Sequence, residues 1–388
     1  MSTFTPTSHR RRRLRAAIGA AAVLTLGLAA TACGDDDDAG SEPTSPAEST
    51  PPADSAAPGD TGAPSDTAPA DLSGKVRLGF FPNVTHAPAL VGVAEGTFTD
   101  HLGDGVDFDT FTFNSGTEAA EALLAGSLDI TFIGPNPAIN AFAQSNGEAI
   151  RIVSGTTSGG AYLVVKPEIT SPDQLADTTL ATPSLGNTQD VALRSWLKEQ
   201  GFETSPDGGG DVTILPQSNA TTLESFISGG IDGAWVPEPW ATRLVQEGGG
   251  VVLVDERDLW ADTDGEYVTT HLIVRTDFLE DHPDLVKAVI EGLADAIDKI
   301  EADPEAAQAD VITQITEITG TEPSPETITN SFANLTFTLD PIAASLQGSA
   351  DDAVEVGLLE EVDLTGIYDL TLLNEVLTAR GKPTVEGF

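Results

Sequence analysis

The hydrophobic pattern between residues 75 and 144 switches repeatedly between the period of a strand and the period of a helix. Alternating or continuous apolar runs predict strands, whereas apolar residues three and four positions apart predict helices. Predicted strands cover 75–81, 106–113 and 129–133, and predicted helices cover 86–95, the stretch capped by Ser115, and 138–144. This order of elements is typical of a mostly parallel sheet covered by helices.

A second series of the same kind follows two adjacent predicted strands, 150–155 and 161–166. It contains predicted strands at 179–182, 212–215, 231–236 and 251–254 and predicted helices at 187–200, 220–228 and 239–246. A strand at 268–275 comes next, and beyond residue 277 the pattern is helical. We expect an α/β fold of two lobes, in which lobe 1 (75–166 and 268–388) is interrupted by lobe 2 (167–267).

The first 33 residues have the composition of an export signal. Five arginines between positions 10 and 15 precede an uncharged run, 16–32, that ends in Ala-Thr-Ala before Cys33. This ending resembles the lipobox of bacterial lipoproteins, although Ala30 stands where that motif usually has leucine. The resemblance implies a signal peptide over residues 1–32, lipid attachment at Cys33, and anchoring at the outer face of the cell membrane.

Two alternatives to the lipid anchor remain open. A transmembrane helix is one, but the uncharged run has 17 residues, fewer than the roughly 20 that span a bilayer. An ordinary signal cleaved near this point is the other. The export route is open too, because the arginines resemble a twin-arginine signal but lack its full pattern. The segment 33–74 is rich in Asp, Ser, Thr, Pro, Ala and Gly and predicts a disordered acidic tether.

The balance of charge limits the partners. The chain has 18 Lys and Arg against 61 Asp and Glu, a formal net charge of −43. This acidity excludes nucleic acid and opposes binding to anionic lipid headgroups, so contact with a membrane has to come through the anchor. Because Cys33 is the only cysteine, its lipidation leaves no thiol for a disulfide, a zinc site or a nucleophile. We predict no cofactor and no metal site.

Three charge-poor loops join a predicted strand to the start of a predicted helix: 81–86, 134–137 and 185–189. Helix N-termini bind anions through unpaired N–H groups, and ligands of open α/β sheets collect at these strand ends. Capping by Asn, Ser and Thr is the structural alternative for each loop. A fourth segment, 232–240, adds Trp235 and Trp240 beside Glu238, and there the alternative is tryptophan in the core.

Several motifs carry a resemblance to a known family. GFFPNVTHAPAL, LLAGSLDITFIGPNPAI, SGTTSGGAYLVV, ATPSLGNTQDVALRSWL and ISGGIDGAWVPEPWATRL resemble the substrate-binding proteins of ABC importers for nitrate, sulfonates and taurine, which are related to thiamine-pyrimidine proteins. The resemblance implies a periplasmic-binding-protein type II fold, each lobe a mixed, mostly parallel sheet flanked by helices. It implies a monomer that is not an enzyme, captures a small anion or zwitterion between its lobes, and delivers it to an ABC permease in the membrane.

The resemblance also implies which residues bind the ligand. They are Phe81, Asn83, His86, Gly134, Asn136, Gly186, Asn187, Thr188, Gln189, Trp235, Glu238 and Thr270. Thr269 and His271 flank Thr270 and have weaker support.

The residues leave the ligand and some roles open. An ionised Glu238 favours an ammonium group, as in taurine, or a pyrimidine amine, but it could equally cap a helix or pair with Arg243. His86 and His271 could each be core or capping residues, and two histidines without a third ligand do not predict a metal site. A pyrimidine-synthesis enzyme is disfavoured because the cysteine-rich motif is missing, and a serine hydrolase because no G-x-S-x-G occurs. A ligand-sensing protein would use the same cleft.

Overall fold

The computed structural model describes residues 72–388, so the predicted signal peptide and Cys33 lie outside the described residues. The strands are β1 Gly74–Phe80, β2 Val106–Thr112, β3 Ile130–Ile133, β4 Ile150–Gly159, β5 Ala161–Val165, β6 Thr179–Thr182, β7 Thr213–Pro216, β8 Gly233–Pro237, β9 Val251–Asp255, β10 Val268–Arg275 and β11 Leu335–Phe337.

The helices alternate with the strands at first and dominate the C-terminal part. They are α1 Ala87–Ala94, α2 Thr97–Leu102, α3 Gly116–Leu124, α4 Pro135–Gln144, α5 Thr188–Glu199, α6 Asn219–Ile227, α7 Trp240–Gln246, α8 Thr276–Asp281, α9 Pro283–Ala302, α10 Pro304–Thr319, α11 Pro325–Ala333, α12 Ala343–Glu355 and α13 Thr371–Ala379. No helix among the described residues is both long and apolar enough to cross a bilayer.

The strands form two sheets. The first has the order β11-β4-β10-β3-β1-β2, and the second has the order β7-β6-β8-β5-β9. In the first sheet β1, β2 and β3 run parallel while β10 is antiparallel to both of its neighbours. In the second sheet β6, β7 and β8 run parallel and β5 is antiparallel. We use lobe 1 and lobe 2 for these sheets with the helices packed on them.

Strand alternation divides the core of each lobe into two layers. In β10, Leu272 and Val274 belong to the cluster under α1, α9 and α13, whereas Ile273 faces the cluster under α3, α4 and α12. In β5, Leu163 faces Trp196 and Trp235, and its neighbours face the opposite layer. Each sheet is therefore covered on both sides, as expected of strands that read as continuous apolar runs.

Two expectations about topology were wrong. The strand Ala161–Val165 pairs with β8 and β9 of the second sheet, so the chain passes between the sheets at Gly160 and not near residue 166. Gly159 and Gly160 have φ of 82° and 77°, a conformation open to glycine that separates one extended run into two sheets. The tail is also not wholly helical, because β11 pairs with β4 at the sheet edge. Its three residues are too few to show a period.

Candidate functional site

A narrow cleft of about 40 Å³ lies where strand ends of the two sheets face each other. None of the residues that line it is Asp, Glu, Lys or Arg. It brings together most of the residues predicted to bind ligand: Phe81, Asn83, His86, Gly134, Asn187, Thr188, Gln189 and Thr270, with Thr269 beside them. These residues therefore line one cleft, and their contact with a ligand stays a prediction.

Four helices begin at the cleft, two from each lobe. Ser115, Gly134 and Asn187 are the N-caps of α3, α4 and α5, and Asn219 is the first residue of α6. The Ser115 hydroxyl accepts from the Glu118 N–H, and the side-chain Oδ1 of Asn187 accepts from the Asp190 N–H at 2.9 Å. Each helix start contributes unpaired N–H groups and the positive end of a macrodipole, so the cleft attracts anions without a cationic side chain.

His86 contributes a neutral ring to the wall. It is 3% exposed, and burial lowers its pKa from 6.5 to about 3. Its ring stacks on Phe81 with 4.4 Å between centroids, and its Nδ1 accepts from the Phe81 N–H at 3.4 Å. Because the neutral ring accepts at Nδ1, its proton resides on Nε2. His86 is therefore a hydrogen-bonding group and not a cation at neutral pH.

A hydrogen bond joins the lobes across the cleft. The Trp240 Nε1 donates to the Asn83 Oδ1 at 2.9 Å, and the Arg243 guanidinium lies over the Trp240 ring, 4.8 Å from its centroid. With its carbonyl oxygen engaged, Asn83 has its Nδ2 left to donate. The sequence indicated Trp240 only as aromatic bulk. Its partner lies 157 positions away in the chain, which no local pattern shows.

The other polar side chains of the wall differ in how far they are satisfied. The Thr270 hydroxyl donates to the Thr85 carbonyl at 3.1 Å, and the Thr269 hydroxyl donates to the Gly159 carbonyl at 2.5 Å. The Asn187 Nδ2 donates to the Gln189 Oε1 at 3.1 Å. By contrast, the buried Thr188 Oγ1 and Asn219 Oδ1 have no hydrogen-bond partner among residues 72–388.

Four residues predicted to bind ligand do not line the cleft. Asn136 donates from Nδ2 to the Ser349 carbonyl at 2.9 Å and so ties α4 to α12. Trp235 is fully buried in the lobe 2 core, where it donates to the Glu256 Oε2 at 2.7 Å. Gly186, with φ of 70°, forms the turn before α5, and its N–H donates to the Asp190 Oδ2.

Glu238 is the fourth, and it has a structural role. Its carboxylate accepts from the Thr242 N–H and hydroxyl, from the Ser331 hydroxyl and from the Asn334 Nδ2. Burial raises the pKa of Glu238 despite these donors. It holds the start of α7 against α11 and does not pair with Arg243, which bonds Glu247. His271 is likewise a core residue, 3.3 Å from the Pro341 carbonyl.

The cleft also includes residues that were not predicted to bind ligand, namely Thr85, Asn114, Ser115, Gly116, Asn219 and the prolines 137, 183 and 237. A signal existed for residues 114–116. Ser115 followed by Glu118 predicted a helix start directly after a strand, and β2 is parallel to β1, so α3 begins at the same sheet edge as the 81–86 loop. The prolines form part of the apolar lining, and no feature of the sequence predicted that they would line the cleft.

Comparison with known proteins places this geometry in context. The sequence model of the NMT1-like family matches residues 71–316. The taurine-binding periplasmic protein of Escherichia coli (strain K12) is 29% identical over 238 residues, which are 60% of this chain and 70% of that protein.

Two solved structures share the architecture. The alkanesulfonate-binding protein SsuA from Xanthomonas axonopodis pv. citri, bound to MOPS, superposes with a TM-score of 0.63 at 19% identity over 77% of this chain and 99% of that one. The periplasmic nitrate-binding protein NrtA from Synechocystis PCC 6803 superposes with a TM-score of 0.67 at 17% identity, over 79% and 89%. These likenesses confirm the predicted two-lobed α/β fold of periplasmic binding proteins.

Proposed function

Because the chain belongs to the NMT1-like family, we propose that it is the extracytoplasmic substrate-binding component of an ABC importer. It captures a small oxyanion between its lobes and delivers it to a membrane permease. The similarity to a taurine-binding protein and to alkanesulfonate- and nitrate-binding structures supports a ligand of this chemistry.

The charge-free cleft with four converging helix starts is the observation that carries the proposal. In a protein of net charge −43, an anion is held only where local donors outweigh the surrounding negative potential. Desolvated N–H groups provide such donors, and they act more strongly here than in open water because most of the residues that line the cleft are buried.

Contacts between the lobes support capture by closure. The start of α4 lies so near α5 that a Cβ on Gly134 would be 2.6 Å from the Thr188 Oγ1. The Ser195 hydroxyl of α5 donates to the Asp352 Oδ1 of α12 at 2.8 Å. Together with the bond between Trp240 and Asn83, these contacts support a mechanism in which the two lobes close around the ligand.

Isothermal titration of ligand-free protein tests the proposal. The titrants are methanesulfonate, ethanesulfonate, taurine, nitrate, bicarbonate and an aminopyrimidine. We expect one of the oxyanions to bind with a Kd of roughly 1 μM, about −8 kcal/mol, because release to a permease must remain possible. Absence of binding to all of them, in protein shown by native mass spectrometry to carry no ligand, would contradict the proposed function.

We propose in addition that Cys33 carries the lipid and that the folded part works as a monomer at the outer face of the membrane. The basis is the sequence Ala-Thr-Ala-Cys after an uncharged run. Cys33→Ser should release the protein into the medium or leave its signal uncleaved. Membrane-bound protein of normal mature size would contradict the anchor.

A further inference from the structure

A buried ion pair lies directly behind the part of lobe 2 that lines the cleft. Asp190 is in the first turn of α5, and Arg194 follows one turn later. The Arg194 Nε donates to the Asp190 Oδ2 at 3.0 Å, and the two side chains are 1% and 0% exposed. Neither residue lines the cleft. Because apolar side chains of similar volume often stabilise a fold as well as a buried ion pair does, this pair needs an explanation other than stability.

The carboxylate of Asp190 fixes the turn that leads into α5. Its Oδ1 accepts from the Thr182 hydroxyl at 2.8 Å, and its Oδ2 accepts from the Gly186 N–H at 2.9 Å. Its own backbone N–H donates to the Asn187 Oδ1. One residue therefore joins the end of β6, the turn at Gly186 and the cap of α5. Residues 187–189, which line the cleft, lie within this bonded segment.

The same carboxylate opposes the proposed function, on which this inference rests. A negative charge in the first turn of α5 lies close to the helix N-terminus that faces the cleft. The charge favours the helix, but it also repels an anion that approaches the same N-terminus, and the repulsion is strong in a buried environment of low dielectric constant. An anion site can keep Asp190 behind its wall only if that charge is cancelled nearby.

Arg194 is the group that cancels the charge. Its Nη1 and Nη2 are buried and have no hydrogen-bond partner among residues 72–388, so no second acceptor shares the guanidinium with Asp190. The two acids of α12 that reach α5, Asp352 and Glu355, bond other residues of that helix. The elements α4, β6 and β8 also pack on α5 and have no ionisable side chain. Arg194 is therefore the counter-ion of Asp190.

We propose that Arg194 is a positioning residue for anion binding and that it acts through Asp190. It holds the carboxylate where Thr182 and Gly186 donate to it, and it cancels the charge that would otherwise repel the ligand. The guanidinium itself does not contact the ligand. Lobe 2 thus presents a fixed, uncharged turn to the cleft, although the residue that shapes this turn is an acid.

Calorimetry with nitrate and ethanesulfonate tests this role. Arg194→Met keeps the apolar stem of the side chain and leaves Asp190 without a counter-ion, so affinity should fall at least tenfold, about 1.4 kcal/mol. Arg194→Lys keeps the charge and should stay within threefold of wild type.

A first double variant, Asp190→Asn with Arg194→Met, should restore affinity to within threefold of wild type. Its amide oxygen still accepts from the Gly186 N–H, its Nδ2 can donate to the Thr182 hydroxyl, and no charge remains. If the two residues contributed only bulk to the core, the second substitution would add to the loss and would not reverse it.

A second double variant, Asp190→Ala with Arg194→Met, separates the hydrogen bonds from the charge. It is equally uncharged but cannot bond the turn, so it should bind at least tenfold more weakly than the first double variant. Hydrogen exchange followed by NMR should show the Gly186 N–H protected in wild type and in the first double variant, and unprotected in the second. These two double variants decide the question should Arg194→Met fold poorly.

Lys166 and Asp232 provide the matched control. They also form an ion pair in lobe 2, at 2.8 Å, and Asp232 accepts from the Thr179 N–H at the opposite end of β6. Lys166→Met should leave affinity within twofold of wild type, and a loss equal to that of Arg194→Met would overturn the specific role of Arg194.

Two further results would overturn the role of Arg194. One is wild-type affinity in Arg194→Met, and the other is a loss of more than tenfold in the first double variant, which would mean that the charge of Arg194 acts on the ligand directly. Wild-type protein that binds none of the oxyanions would instead refute the proposed function, so the two failures are distinguishable.

Discussion

The amide of Asn83 has its orientation fixed by a single donor across the cleft, the Nε1 of Trp240 at 2.9 Å. Without that donor the amide could rotate and present its oxygen to an anion. Trp240 is therefore a positioning residue. Because its bond to Asn83 forms when the lobes close, closure also orients the Asn83 Nδ2 to donate to the anion.

Trp240→Phe tests this effect because it removes the indole N–H while leaving a six-membered aromatic ring beside the Arg243 guanidinium. We expect anion affinity to fall by about fivefold to tenfold, in line with one hydrogen bond of about 1 kcal/mol, with little change in the free energy of unfolding. Trp196→Phe, in the lobe 2 core against Trp235, is the control and should lower stability but not affinity. Titration calorimetry that finds unaltered affinity in Trp240→Phe would exclude the positioning role.

Glu256 makes stability depend on pH. Burial raises the pKa of its carboxyl from 4.5 to about 8, and the charges of Asp352 and Asp255 add to the effect. Between these values the folded protein keeps a proton that the unfolded chain has released. The free energy of unfolding contributed by this group is therefore full below pH 4.5 and is lost as the pH rises through 8.

Glu256→Gln removes that dependence, because the amide cannot ionise and its oxygen still accepts from the Trp235 Nε1. At pH 9 the variant should exceed wild type in free energy of unfolding by at least about 1.4 kcal/mol, the equivalent of one pKa unit, and the two should converge near pH 5. Urea denaturation across this range measures the difference. Glu360→Gln, at an exposed position, is the control, and parallel pH profiles for wild type and Glu256→Gln would contradict the role of Glu256.

At the scale of helices and strands, the sequence predicts much of the site because caps and strand ends are local. Ser115 and Asn187 do cap α3 and α5, and parallel strands bring such caps to one edge of the sheet. Trp235 and Glu238 show the limit of this reasoning. Their segment reaches the cleft at Pro237, but the side chains of Trp235 and Glu238 enter the core, and a motif does not state which face a residue takes.

Long-range partners also could not be predicted. Asn136 lies in the first turn of α4, which begins at the cleft, yet its side chain donates to a carbonyl 213 positions later in the chain. The passage between sheets at Gly160 was missed for a similar reason, since two apolar strands separated by glycines look alike whether they join one sheet or two.

The helix starts of α4 and α5 approach each other only because residue 134 lacks a side chain. A Cβ there would lie 2.6 Å from the Thr188 Oγ1, which is too close unless the Thr188 side chain or one of the lobes shifts. Gly134 has φ of −72°, so alanine fits the backbone and the conflict arises only on closure.

The methyl group added by Gly134→Ala should therefore hinder closure of the two lobes. We expect at least a tenfold loss of anion affinity with a nearly unchanged melting temperature of the ligand-free protein, and small-angle scattering should show less compaction on adding ligand. Gly230→Ala, whose Cβ would meet nothing nearer than 3.4 Å, is the matched control. Full compaction and wild-type affinity in Gly134→Ala would show that closure tolerates the added methyl group.

At the scale of the whole molecule, a cleft that attracts anions is set in a chain of net charge −43. The attraction by the helix N-termini and the repulsion by the surface carboxylates act over different distances. Helix-start donors act within a few ångströms and are shielded from salt, whereas the repulsion by surface carboxylates extends over a Debye length, about 30 Å at 0.01 M and 8 Å at 0.15 M. Salt therefore weakens the repulsion more than it weakens the attraction.

The association rate of an anionic ligand should consequently rise with ionic strength, by roughly twofold or more between 0.01 M and 0.15 M, which is the reverse of the behaviour of a site lined by Lys and Arg. Stopped-flow fluorescence with ethanesulfonate measures this rate, and the experiment uses both potassium chloride and potassium gluconate so that competition by one anion is recognised. The dissociation rate should change little, because it reflects contacts inside the closed cleft. A rate of association that falls with both salts would mean that the approaching anion experiences a net positive field, contrary to a site built from helix starts within an acidic surface.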